Sequence, residues 1–113
     1  MRLKVVLAAM VVAFVALCAA PANAQAAWFW GKKEAQKALL REGLEWESGF
    51  EEVLVARCVG QGRWIWNDSQ TARLFRKFRC YVYTSAPVGE DEYYIRFLVK
   101  GKVRWDYEFL NYA

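Results

Sequence analysis

Cys58 and Cys80 lie symmetrically about position 69, inside the run Asn67-Asp68-Ser69-Gln70. Asn, Asp and Ser form turns because their short polar side chains hydrogen-bond the nearby backbone. The flanking runs VLVARCV (Val53 to Val59) and FRCYVYT (Phe78 to Thr84) are rich in β-branched and aromatic residues, the composition of strands. An antiparallel hairpin with its tip in that turn sets the two cysteines opposite one another, at a separation that a disulfide bridges. A covalent bond there fixes register, and register assigns every side chain on both strands to a face. Gly60 and Gly62 predict a bulge or sharp twist before Trp64-Ile65-Trp66.

Whether the cysteines pair depends on where the chain goes. Residues 1–24 read MRLKVVLAAMVVAFVALCAAPANA. Arg2 and Lys4 give a positive start, Val5 to Ala20 is an unbroken apolar run, and Ala22-Asn23-Ala24 supplies the small residues that a signal peptidase reads. A secretory signal peptide with cleavage between Ala24 and Gln25 is expected. The apolar run has 16 residues. That is short of the roughly 20 needed to span a bilayer as an anchor. Lipid attachment at Cys18 is disfavoured by the bulky Leu17 before it. Cleavage would leave residues 25–113 as one small domain in a secreted or cell-envelope, oxidising compartment, where two remaining cysteines pair. Zinc is the rival use of Cys58 and Cys80. With no histidine in the chain, two thiolates cannot complete a four-ligand site. A chain so short also needs a staple, because its core is limited. The export signal explains the apolar fraction of 57%, which is high for a soluble domain.

Between Gln25 and Gly49, QAAWFWGKKEAQKALLREGLEWESG holds the one helical pattern. Ala35, Ala38, Leu39, Glu42 and Trp46 recur at spacings of three and four. Gly43 weakens the last turn and Ser48-Gly49 is the expected stop. Trp28, Phe29 and Trp30 precede the helix and are expected to cover one end of the core. A second hairpin is read from Val103 to Phe109, where apolar and charged residues alternate without exception, and from Tyr93, Ile95, Phe97 and Val99. A three-residue loop, Lys100-Gly101-Lys102, would oppose Val99 to Val103, Phe97 to Trp105 and Ile95 to Tyr107. Pro87, Gly89 and Glu90-Asp91-Glu92 are read as the connection between hairpins.

The expected fold is therefore α+β, one N-terminal helix packed on a four-stranded antiparallel meander, stapled by one disulfide. Its inner face would carry Leu54, Ala56, Cys58, Phe78, Cys80, Val82, Ile95, Phe97, Val103, Trp105 and Tyr107. This arrangement resembles the cystatin-like folds in architecture. The Q-x-V-x-G motif of cystatins is absent, since residues 56 to 60 read ARCVG, so the resemblance implies no activity.

The missing histidine removes Ser-His-Asp and Cys-His catalysis and a histidine pH switch. Asp106 and Glu108 share a strand face about 7 Å apart by the rise per residue, which invites a paired-carboxylate reading. A solvated face opposite Arg96 accounts for them more simply. The GQG at Gly60 lacks the G-x-G-x-x-G pattern of phosphate loops. No enzyme and no cofactor are expected.

Charge points instead to binding. Residues 57 to 79 hold Arg57, Arg63, Arg73, Arg76, Lys77 and Arg79 against Asp68 alone. The outer face of the first hairpin would present Arg57, Lys77, Arg79, Tyr81 and Tyr83, extended by Tyr94 and Arg96. Guanidinium and aromatic groups together suit anionic polymers, through charge pairing and stacking. The expected partner is an anionic polymer, a membrane surface or another envelope protein. The alternative is a protein–protein or inhibitor-like module acting through the 64–74 hairpin tip, with Trp64, Trp66 and Asn67 as anchors. Asn67-Asp68-Ser69 also satisfies the N-glycosylation acceptor pattern.

Overall fold

The computed structural model describes residues 28–113. The expected signal peptide, residues 1–24, and its cleavage site lie outside the described residues. The elements follow as α1 (Lys32–Glu42), β1 (Leu44–Trp46), β2 (Gly49–Trp66), β3 (Arg73–Ala86), β4 (Gly89–Val99) and β5 (Trp105–Tyr112). Each strand pairs antiparallel with the next, so the sheet order is β1-β2-β3-β4-β5. The sheet curls into a half-barrel and the described chain is mostly β.

This corrects the expected α+β fold of a helix on a four-stranded sheet, and the cystatin-like arrangement goes with it. The cause lies at Gly43. Its φ of 70° ends α1 there, and a Cβ at this position would stand 2.6 Å from the Phe50 ring and 2.7 Å from the Glu51 carbonyl oxygen. Only glycine fits that turn. The chain therefore leaves the helix early, Leu44–Trp46 extends as a fifth strand, and Glu47-Ser48 turns it back so that Trp46 pairs with Gly49. Trp46 belongs to the sheet rather than the helix, and Ser48 closes a hairpin rather than ending a helix. Likewise Gly89–Glu92 is not a connection but the start of β4, with Glu92 paired to Tyr83 and Glu90 to Ser85.

The disulfide between Cys58 and Cys80 is present, on directly opposed residues with Cα atoms 4.0 Å apart. Such closeness marks a non-hydrogen-bonded antiparallel pair. The Cys58 N–H accordingly points away from β3 and donates to Gln36 Oε1 on α1 at 3.0 Å. One helix side chain thus covers part of an otherwise open sheet edge. A register shift falls between Gln61 and Trp64, where Gly62 has φ 73°. A second shift between Val53 and Val55 turns Leu54 out of the core, against its expected inner place.

The hollow of the sheet is filled by Phe78, Phe97, Leu39, Leu44, Ile95, Val82 and Cys80, all fully buried. Helix α1 contributes Ala35, Ala38 and Leu39 to this core, and each buried large apolar side chain is worth about 1.5–3 kcal/mol. Trp105 stacks on Phe97 with ring centroids 4.7 Å apart and planes 14° apart. That stack fits the β4–β5 register, which pairs Val99 with Trp105, Phe97 with Tyr107 and Ile95 with Phe109. The connecting loop therefore runs from Lys100 to Arg104, longer than the three residues expected. An even shift keeps each strand's faces unchanged, so the inner face keeps Trp105 and Tyr107. Val103 leaves it for the loop, where it is 79% exposed. Trp30 anchors that loop by donating its Nε1–H to the Gly101 carbonyl at 3.1 Å. Trp30 also exchanges two backbone hydrogen bonds with Phe75, of 2.8 and 2.7 Å. Phe29 and Trp30 are buried, which places the Trp28–Trp30 segment over one end of the core as expected.

Candidate functional site

Antiparallel pairing aligns the expected sheet-face residues into cross-strand rows. Arg57 stands beside Tyr81, Tyr94 and Asn111, while Val59 stands beside Arg79, Arg96 and Glu108. Tyr83 and Lys77 flank these rows on β3. The six candidates Arg57, Lys77, Arg79, Tyr81, Tyr83 and Arg96 therefore do share the outer face. Their chemistry differs from expectation, because β4 and β5 bring carboxylates into the same rows. Tyr81 donates its hydroxyl to Glu92 at 2.5 Å, Tyr83 donates to Glu90, and Arg96 pairs with Glu108. The bonds to Glu92 and Glu90 raise the pKa of Tyr81 and Tyr83 above the ordinary phenol value, with burial adding to the effect. Those two phenols hold their protons and serve as internal donors. Glu108 is occupied by Arg96, and Asp106 accepts the Tyr107 N–H at 2.9 Å. The two β5 carboxylates thus work in the sheet's own bonding.

Arg57, Lys77 and Arg79 remain as cations on the β2–β3 side of this face. Arg79 lies 4.6 Å from the Tyr94 ring centroid and reaches Asn111 Oδ1 at 3.4 Å. Among the described residues, carboxylate ion pairs are made by Arg41 and Arg96 alone.

The hairpin continues beyond the last β4 partner, Lys77 opposite Leu98, as an arm of two strands. Here arginines meet aromatic rings. The Arg73 guanidinium lies 5.3 Å from the Trp64 ring centroid, Arg76 lies 5.5 Å from Trp28, and Arg63 lies 5.9 Å from Phe29. Trp64 meets Trp66 edge to face at 5.0 Å, and Trp66 is 51% exposed. The arm holds its shape through Gly60, where any Cβ would stand 2.2 Å from the Phe75 ring. Its tip is organised by Asn67, whose Oδ1 accepts the N–H groups of Thr71 at 2.8 Å and Ala72 at 3.2 Å. Asn67 is thus a turn residue, while Trp64 and Trp66 present aromatic surface. Between arm and α1 lies a cleft of about 780 Å³ whose lining includes Lys32, Lys33, Arg73 and Trp66.

Arg63, Arg73 and Arg76 belong to the basic stretch but not to the expected outer face, and Lys32 and Lys33 carry no sequence signal for the cleft. The available signal was length: a turn cluster at 67–70 leaves both strands running well past Cys58 and Cys80.

A second polar cluster lies toward the opposite end of the sheet. Tyr93 donates its hydroxyl to Glu51 Oε1 at 2.8 Å and accepts Trp46 Nε1–H at 3.0 Å. The buried Thr84 donates to Glu51 Oε2 at 2.8 Å. Burial, then the bond to Glu51, pushes the Tyr93 phenol far above its usual pKa. Among the described residues, no group of three or more Cys, Asp and Glu is placed to hold a metal ion, and no helix is long and apolar enough to cross a membrane. Comparison with protein-family models, curated proteins and solved structures finds no match for the chain.

Proposed function

We propose that the protein is an exported, non-catalytic binding module for an anionic polymer. Contact is made by the arginine–aromatic arm, Arg63, Arg73 and Arg76 with Trp28, Trp64 and Trp66, and continues over Arg57, Lys77 and Arg79. The observation that carries this reading is the pairing state of the cations. All six lie between positions 57 and 79, and none has a carboxylate partner among the described residues. Three of them are held against rings, Arg73 against Trp64 within the arm, and Arg63 and Arg76 against Phe29 and Trp28 of the segment before α1. A guanidinium so placed keeps its donor edge free for phosphate, sulfate or carboxylate groups, while an adjacent exposed indole offers a stacking surface. The disulfide supports export, since such bonds persist in oxidising compartments. The outer face further along β3 and β4 is a weaker candidate, because Tyr81, Tyr83 and Arg96 already hold Glu92, Glu90 and Glu108 as partners.

Retention on immobilised heparin tests the assignment. Replacing Arg63, Arg73 and Arg76 with Gln is expected to lower the eluting salt concentration more than replacing Tyr81, Tyr83 and Arg96. Equal elution of both triple variants and the parent would remove the arm from consideration. Retention on an envelope protein that resists salt would instead favour the arm as a protein-binding tip built on Trp64 and Trp66.

A further inference from the structure

At the end of the sheet away from the arm, the β1–β2 turn, the β3–β4 turn and the C-terminal end of β5 enclose a groove of about 1060 Å³. Its residues include aromatic side chains from four strands, Trp46, Phe50, Tyr93, Phe109 and Tyr112, and carboxylates such as Glu47 and Asp91. No Lys or Arg lines it. The chain carries 16 Lys and Arg overall; the cleft between arm and α1 includes Lys32, Lys33 and Arg73, and a smaller one beside the β4–β5 loop includes Arg104, whereas this lining holds no cation.

The groove is built on a fixed floor. Tyr93 holds Trp46 and Glu51 by hydrogen bonds, and the Phe109 and Tyr112 rings lie 5.6 and 6.3 Å from the Tyr93 ring. Tyr112 is 67% exposed and Phe109 is 44% exposed, so apolar ring surface faces solvent at the rim. Glu47 and Asp91 have no ion-pair partner among the described residues. Aromatic rings present negative faces. Rings and free carboxylates therefore contribute negative potential of the same sign, and an anion is disfavoured. A strongly hydrated metal ion gains little from such walls, whereas a substituted ammonium carries its charge on a greasy surface that suits both. We propose that this groove binds an organic ammonium group, a methylated or otherwise substituted amine held by ring faces and by Glu47 and Asp91. The site is separate from the arm and does not depend on its function.

Titration with choline, followed by NMR of the Trp46 indole N–H and the Tyr112 ring, tests the assignment. 3,3-Dimethylbutan-1-ol, the uncharged isostere of choline, serves as comparison. Choline is expected to shift these signals with an affinity at least about fivefold above that of the isostere, the range of a cation–aromatic contact. The Glu47→Gln/Asp91→Asn variant should lose most of that preference without a change in circular dichroism or melting temperature. Tyr112→Ala should weaken choline binding further. Equal affinities for choline and the isostere, no saturable shift, or shifts confined to arm residues would each overturn the proposal.

Discussion

Replacing Tyr93 with Phe removes one oxygen from the floor of the groove and separates packing from hydrogen bonding. The ring would stay buried between Trp46 and Phe109, whose centroids lie 6.1 and 5.6 Å away. What disappears is the donor to Glu51 at 2.8 Å and the acceptor for Trp46 Nε1 at 3.0 Å. A lost hydrogen bond of this kind costs about 1 kcal/mol net, and more where a charged partner is left behind. Glu51 keeps Thr84 on its other oxygen and is itself only half-buried, so solvent recovers part of the loss. The expected destabilisation at neutral pH is about 2 kcal/mol. The pH dependence sharpens the test. A phenol whose pKa is raised on folding contributes stability that is fully present below its unfolded pKa, near 10.0, and is lost as pH rises toward the folded value. Parent and variant stabilities should therefore converge above that pH. Urea unfolding followed by tryptophan fluorescence, at neutral pH and in steps into the alkaline range, gives both quantities. A variant as stable as the parent at neutral pH, or a gap that does not narrow in alkali, would refute the described network.

The same logic yields three further outcomes. Replacing both Cys58 and Cys80 with Ala should cost about 3 kcal/mol, by the chain-entropy term for a loop of this separation, read from urea midpoints. Gly60→Ala drives a methyl into the Phe75 ring and should cost about 1–3 kcal/mol. Trimming Phe75 to Ala in the same chain should make the two losses less than additive. Tyr107 bridges β5 to β1, its hydroxyl accepting from the Glu45 N–H at 2.7 Å and donating to the Glu45 carbonyl at 2.6 Å. Tyr107→Phe should speed hydrogen exchange at the Glu45 amide while leaving that of Cys58, capped by Gln36, unchanged.

The parts of the fold legible in the sequence were those fixed by strong local chemistry. Two cysteines centred on a turn cluster set one register, and Cys58 does face Cys80. Strict alternation from Val103 to Phe109 identified the last strand, but alternation reports faces and is blind to an even shift. The partner of Phe97 is thus Tyr107 rather than Trp105. Strand β1 is hidden because three residues are too few to show a period, and its last residue, Trp46, completes a helical spacing with Leu39 and Glu42. The deciding feature, positive φ at Gly43, looks in sequence like a weak helical residue. Parity alone puts Leu54 inside, because a bulge between Val53 and Val55 leaves no composition signal.

The candidate site shows the same division. Shared strand parity put Arg57, Arg79 and Tyr81 on one face, and the structure places them there. Glu90 and Glu92 look in sequence like a loop between hairpins, and nothing there foretells their bonds to Tyr83 and Tyr81. Those bonds move the free basic surface toward the arm. Its cation–ring contacts join residues as far apart as Trp28 and Arg76, a pairing that no local pattern encodes.

Binding of a defined linear polyanion as a function of salt tests the arm most directly. Oligothymidylate affinity, followed by tryptophan fluorescence, should fall linearly with the logarithm of salt concentration. Neutralising Arg63, Arg73 and Arg76 should reduce the slope by about 2, as for three lost phosphate contacts to a single strand. Neutralising Lys100, Lys102 and Arg104, equal in charge but set in the β4–β5 loop, should leave the slope unchanged. Equal slopes for the two variants would contradict a binding surface on the arm.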